Sequence, residues 1–279
     1  MSAPRDPVWV DVGTPPGTDV WHIVLDVARE TVDPFTTLLD ANELRRAHRL
    51  RDEQAAHRFV AAHGAVRSVL GSYLDVAGYT LHWARGPNGK PYFDGEWRQW
   101  QWSLSRSGGH ALLAVRLHDP VGVDIEQISD DVQANALSAR FMPAEEAAEV
   151  AGQPDDAARN AAYHRLLSRK ESCVKASGGR LLDGLRLGVL VPGIVEGTGA
   201  FTGQRWSLRD LPAPPGFVAT LATIGDRPPL LRMFEWDWHT YPYGGHADAL
   251  TGPPLEPPET TRPSGDENSS PLHVARRAA

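Results

Sequence analysis

Apolar and polar residues alternate with a period of two in Val8-Trp9-Val10-Asp11-Val12 and again over residues 21–27, which predicts two short strands separated by a Pro/Gly turn. Over residues 42–74 the period lengthens. Leu44, Leu50, Phe59, Val66, Val69, Leu70 and Tyr73 fall on helical faces, with Arg45, Arg46, Arg49, Arg51 and Arg58 between them. This predicts a basic helical region broken once near residues 51–54. Strand patterns return at 81–84, 99–104, 111–117 and 121–125, separated by turn residues such as Gly86-Pro87-Asn88-Gly89. A second helical stretch follows, with one helix after Pro143 and another over about 155–177, stopped by Gly178-Gly179. Further strands are expected at 186–191, 204–208, 217–223 and 230–238. Strands, helix and strands, twice in succession, argue for an α+β fold of two similar halves, 1–118 and 119–240, although no repeat of sequence proves a duplication.

Beyond about Tyr241 the composition turns to Pro, Gly, Ser, Thr and Glu, too poor in large apolar groups to offset its ordering entropy, so 241–279 is expected to be a disordered tail. The whole chain, 279 residues with 41% hydrophobic and 23% charged, has the balance of a folded globular protein. No apolar run approaches the roughly 20 residues of a membrane span, so no membrane partner is expected. A single cysteine, Cys173, excludes an internal disulfide framework and a cysteine zinc cluster and suits a reducing cytoplasm. The net charge of −7 disfavours nucleic acid as a partner, and removing the tail does not make the rest basic.

Two stretches carry candidate chemistry. In Gly122-Val123-Asp124-Ile125-Glu126 a strand places residues i and i+2 on one face, so two carboxylates stand side by side and repel unless a cation or protons lie between them. A hard divalent ion such as Mg2+, which takes oxygen ligands, would resolve that; a solvated strand face is the plainer reading. In Lys170-Glu171-Ser172-Cys173-Val174-Lys175, Glu171 and Lys175 are i,i+4 on a helix, beside the apolar stripe of Tyr163, Leu166, Leu167 and Val174. A carboxylate at the edge of a buried stripe wants a partner. Cys173 reads as a packed small residue. The eleven histidines show no zinc-binding spacing, and Trp97, Trp100 and Trp102 read as core and rim packing.

Together these stretches resemble the signature pair of the 4′-phosphopantetheinyl transferases, specifically the Sfp type. Gly89-Lys90-Pro91 and a Ser-Leu-Ser-x-Ser-Gly segment at Ser103 to Gly108 stand in the family's order, and His57-Arg58-Phe59-Val60-Ala61-Ala62 is similar to its first half. The likeness spans roughly 21–224. It implies two pseudo-twofold-related halves meeting over coenzyme A, with Mg2+ on the pyrophosphate. It also implies transfer of phosphopantetheine from CoA to a serine of an acyl or peptidyl carrier protein, releasing adenosine 3′,5′-bisphosphate, by a protein typically monomeric. By position, Asp124, Glu126 and Glu171 match the family's metal-binding carboxylates and Lys175 its lysine near the reacting phosphate. Lys90 matches a CoA-contacting position, and Ser105 and Arg106 occupy the third motif. Arg46, Arg49 and Arg58 are candidates for the 3′-phosphate, because a guanidinium fork suits phosphate oxygens. Glu145 falls where many members place a carboxylate proposed to deprotonate the carrier serine, with Glu146 and Glu149 as rivals for that role.

The chain departs from the family's pattern twice. Ser105-Arg106 stands where Ser-His is usual, replacing an imidazole with a fixed charge of longer reach, and Leu167 replaces an aromatic core residue. The first departure keeps an alternative open, a non-catalytic CoA- or carrier-binding module. A Mg2+ phosphohydrolase is weaker, since no group dedicated to activating water is evident.

Overall fold

The structure is a computed structural model in which residues 17–239 are described; the strand expected around residues 8–12 and the tail expected at 241–279 lie outside them. In chain order the first half contributes β1 (Thr18–Val24), α1 (Arg29–Val32), α2 (Ala41–Arg49), α3 (Glu53–Leu74), β2 (Ala84–Arg85), β3 (Pro91–Tyr92), β4 (Trp100–Ser107) and β5 (His110–Leu117). The second contributes β6 (Val121–Gln127), α4 (Ala134–Phe141), α5 (Ala144–Ala151), α6 (Asp156–Ser177), α7 (Leu181–Gly184), β7 (Gly193–Glu196), β8 (Arg205–Leu211), β9 (Phe217–Ile224) and β10 (Leu231–Glu235). The mixed α+β class is as the sequence implied.

Local signals account for the helices. Asp40 and Glu43 form a capping box on α2, Asp52 and Asp155 cap α3 and α6, and α6 ends at Gly178, whose φ of 65° suits glycine. The expected break in the basic helical region falls between Arg49 and Glu53.

Two four-stranded sheets, β10-β1-β5-β4 and β6-β9-β8-β7, repeat one plan, β1-β5-β4 in the first answering β6-β9-β8 in the second. β1 and β6 are both 7 residues long, α3 and α6 both 22, and the displacement along the chain is the same from Thr18 to Val121 as from Glu53 to Asp156. Each half buries its own apolar core, one around Phe59, Val66 and Trp102 and the other around Leu166, Leu208 and Trp206, while Val20, Val123 and Leu221 join a third cluster between the sheets. The final strand crosses back: β10 pairs in parallel with β1, and Arg232 grips Asp19 through two bonds of 2.6 and 2.7 Å.

The strand expected at 81–84 is cut back to Ala84 in β2 and the one expected at 186–191 is absent, for one physical reason. Residues 78–83 form a single turn and a loop because the fully buried Arg67 takes the carbonyls of Gly78 and Leu81 while pairing with Glu43. Residues 186–191 are irregular because buried cations of α6 take their carbonyls: Lys170 holds Leu187 O, and Arg169 holds those of Val189 and Leu190. Glu146, paired with Lys170 at 2.6 Å, accepts from the Val189 amide. A backbone bonded to side chains has no ladder to offer. The helix α4 was not anticipated from the pattern.

Candidate active site

Asp124 and Glu126 project from β6 toward α6, and the strand approaches that helix closely. A Cβ on Gly122 would lie 2.0 Å from Ser172 O and 2.4 Å from Ala176 N, so only glycine allows this contact. The opposite edge of β6 meets β4 through side chains in place of a backbone ladder: Ser103 Oγ accepts from Val123 N at 3.2 Å and Ser107 Oγ from Gln127 N at 3.0 Å. The alternate serines of the Ser-Leu-Ser-Arg-Ser segment thus join the two sheets, and the middle one reaches the carboxylates.

Asp124 is fully buried. Its Oδ1 accepts from Ser105 Oγ at 2.8 Å and from Lys175 Nζ at 2.5 Å, and Ser105 Oγ also accepts from Lys175 at 2.8 Å. Its Oδ2 is buried without a hydrogen-bond partner. Glu171 lies 3.5 Å from Lys175, so the i,i+4 pair expected on α6 forms, with Asp124 as a third member. Glu126 accepts from Ser107 Oγ at 3.3 Å. Ligand atoms of Asp124, Glu126 and Glu171 lie within 4.8 Å of one another. Burial, together with the negative charge of Asp124 and Glu171, pushes the Glu126 carboxyl up to about 7, and burial and Asp124 raise Glu171 as well. Burial opposes the charge on Lys175, but Asp124 and Glu171 outweigh it and hold the ammonium above its usual range. Three crowded carboxylates, one with a bare buried oxygen, form an all-oxygen donor set that fits a hard divalent cation.

Beside this trio runs a cleft of about 330 Å3, to which Lys175 also belongs. Arg46 and Arg106 line it, each with its guanidinium about the Phe59 ring, 5.3 and 5.1 Å from the centroid. Neither makes a hydrogen bond or ion pair among the described residues. Desolvation, reinforced by the like charge of Arg46, lowers the pKa of Arg106. Two guanidiniums side by side, with no hydrogen bond or ion pair among the described residues, could hold an anion.

The remaining candidates are placed differently. Arg58 is engaged in a fork on Asp26, at 2.7 and 2.6 Å, and neither it nor the exposed Arg49 lines the cleft. Lys90 lines the cleft, but its ammonium donates to three carbonyls, Val121 at 3.1, Lys175 at 2.8 and Ala176 at 2.6 Å, and burial lowers it to about 8. Glu145 is exposed on the first turn of α5. Its rival Glu146 is committed to Lys170 in the core, and Glu149 accepts from Gln153. Cys173 is fully buried, its thiol pushed up to about 12, as suits a packing residue. Leu167 packs against the second-half core. The pattern of the sequence did not reveal the buried pairings of Glu43 with Arg67 and of Glu146 with Lys170, nor the hold of Arg169 on loop carbonyls; the Asp40-x-x-Glu43 capping pattern and a charge set among apolar helix residues at Arg67 were the available signals.

A family model described as the 4′-phosphopantetheinyl transferase superfamily matches residues 120–208, the interval holding the carboxylate trio and Lys175. The chain is 28% identical over 227 residues to the 4′-phosphopantetheinyl transferase HetI of Nostoc sp. (strain PCC 7120), covering 79% of this chain and 91% of that protein. It is also 25% identical over 161 residues to the 4′-phosphopantetheinyl transferase ffp of Bacillus subtilis, covering 57% of this chain and 70% of that protein. The matched interval and both relatives agree with the resemblance carried by the motifs, and over these residues the chain is similar to the 4′-phosphopantetheinyl transferase superfamily.

Proposed function

We propose that this protein is a Mg2+-dependent enzyme that transfers 4′-phosphopantetheine from coenzyme A to a serine of an acyl or peptidyl carrier protein, giving the holo-carrier and adenosine 3′,5′-bisphosphate. The observation that carries this reading is the bare, buried Oδ2 of Asp124, set in a carboxylate trio that shares Lys175 with a cationic cleft. Asp124, Glu126 and Glu171 would hold the ion, which would supply Lewis-acid stabilisation to phosphate oxygens. Arg46 and Arg106 bind phosphate of CoA in the cleft. Ser105 fixes the Asp124 carboxylate, and Lys175 stabilises charge developing on the leaving bisphosphate. The serine oxygen forms a bond to the phosphorus bearing the pantetheine arm, the pyrophosphate P–O bond breaks, and the hydroxyl proton passes to a base. Glu145, exposed on α5, is the candidate the resemblance implies for that role, while Glu146 is held by its buried pair with Lys170. Phosphoryl transfer asks for positioning and electrostatics, so no covalent enzyme intermediate is needed.

Intact-protein mass spectrometry of an apo carrier domain incubated with the protein, CoA and Mg2+ tests this directly. A gain of roughly 340 Da, the phosphopantetheine arm of this phosphoryl transfer, that EDTA abolishes is expected. No gain across several unrelated carriers overturns it. Asp124→Ala and Glu171→Ala should each lower kcat by at least about a hundredfold while circular dichroism stays that of the parent. Near-normal turnover in either variant removes the metal assignment.

A further inference from the structure

We infer that Lys90 is a positioning residue of the reaction centre: its ammonium ties the first residue of β6 to the last turn of α6 and so sets the spacing between the two elements that carry the carboxylates. This rests on the transferase reading above.

An ammonium has three donors, and all three are matched here by carbonyls. Two of them, from Lys175 and Ala176, belong to the end of α6, where carbonyls lack intrahelical partners and the helix dipole is negative. The third is Val121 O, at the origin of β6. Asp124 stands three residues beyond Val121, and Glu171 stands one turn before Lys175. One cation therefore joins the root of the strand bearing Asp124 and Glu126 to the helix bearing Glu171. The tie lies next to Gly122, where strand and helix backbones are already in contact, so the spacing is held at two adjacent points.

The loop carrying Lys90 is itself anchored to the same helix end. Asn88 Nδ2 donates to Gly178 O at 2.9 Å, and Arg180 Nε donates to Asn88 Oδ1 at 3.1 Å. The loop comes from the first half of the chain and the carboxylates from the second. A ligand of CoA would need a free donor in the cleft, and this ammonium has none left.

Lys90→Met keeps the stem and removes the charge, Lys90→Arg keeps a cation, and Asn88→Ala loosens the loop while leaving Lys90 in place. In the full chain without CoA, calorimetric titration with Mn2+ should show affinity falling about tenfold or more in Lys90→Met, less in Asn88→Ala, and largely restored in Lys90→Arg. Turnover should fall in the same order, with KM for CoA, and CoA affinity in EDTA, within about twofold of the parent. A rise in KM or in the CoA dissociation constant with metal affinity and kcat intact would make Lys90 a CoA ligand and overturn the inference. A lower Tm alone, with metal affinity and kcat of the folded protein unchanged, would make it merely structural and overturn it as well. If Lys90→Met does not fold, the Asn88→Ala and Lys90→Arg titrations decide the same question. The metal titration reads out even if the parent modifies no carrier, so failure of the transferase reading is seen separately.

Discussion

Burying a charged group is costly unless it is paired, and this protein buries several in pairs that span loops and helices. Arg67 with Glu43, and Lys170 with Glu146, lie wholly inside, and removing one partner of such a pair costs on the order of 3–5 kcal/mol. His63 belongs to the first of these networks, its Nδ1 donating to Glu43 Oε1 at 2.9 Å. Burial pushes its imidazole below the ordinary 6.5, and the nearby Arg106 and Arg46 add to this against the pull of Glu43. Between that lowered value and 6.5 the unfolded chain binds a proton that the folded one refuses. Stability from this group is therefore full above pH 6.5 and is lost as pH falls below it. His63→Asn should flatten the dependence of the urea midpoint between pH 5 and 7; an unchanged slope would assign the acid sensitivity to other groups.

At the scale of elements, the β6–α6 contact decides whether the trio exists. The helix packs against β6 and β9, Ser168 meeting Thr220 at 3.3 Å, and Gly122 lets backbone meet backbone. Gly122→Ala places a methyl inside the van der Waals radius of two backbone atoms with no flexible side chain to yield. It should cost about 3 kcal/mol or more in chemical denaturation and lower metal affinity at the same time. A parental midpoint and affinity would show that strand and helix can part without consequence. The serine seam between β4 and β6 works at the same scale, satisfying edge amides of β6 that no neighbouring strand pairs.

At the scale of the molecule, two units of one plan carry one trio. Positions displaced equally along the chain from Asp124, Glu126, Glu171 and Lys175 hold Trp21, Ile23, Ser68 and Ser72, and Trp21 is buried and stacked on Phe234 of β10. In the first unit the outer edge of β1 is covered by β10, arriving from the second half, whereas the corresponding edge of β6 faces β4 and its serines. Because β10 completes the first sheet and Arg232 locks it to Asp19, neither half is complete without the other. Thermal unfolding of the full chain should be a single transition with equal calorimetric and van't Hoff enthalpies. Two resolved transitions would show that the halves are independent. Among the described residues no helix is long and apolar enough to cross a membrane.

Local rules were enough to place the trio's members on their elements. A period of two puts Asp124 and Glu126 on one strand face, i,i+4 spacing joins Glu171 to Lys175, and Gly178 ends the helix that carries them. Each follows from bonds and rotations within a few residues, which a linear pattern records. The assignments that failed depend on partners distant in sequence. The segments at 81–84 and 186–191 look like strands because their side chains alternate, yet carbonyls within them are claimed by Arg67, Arg169 and Lys170 across the core. Arg46, Arg49 and Arg58 are equivalent as a basic helical run. Only the tertiary structure decides that Arg46 joins Arg106 over the Phe59 ring at the cleft while Arg58 turns to Asp26. Lys90 sits in a Gly-Lys-Pro turn whose local chemistry says nothing of three carbonyls waiting at the far end of α6. Hydrogen-bond partners and charge pairings of buried groups are set by which surfaces meet in three dimensions, and that meeting is a property of the folded chain as a whole.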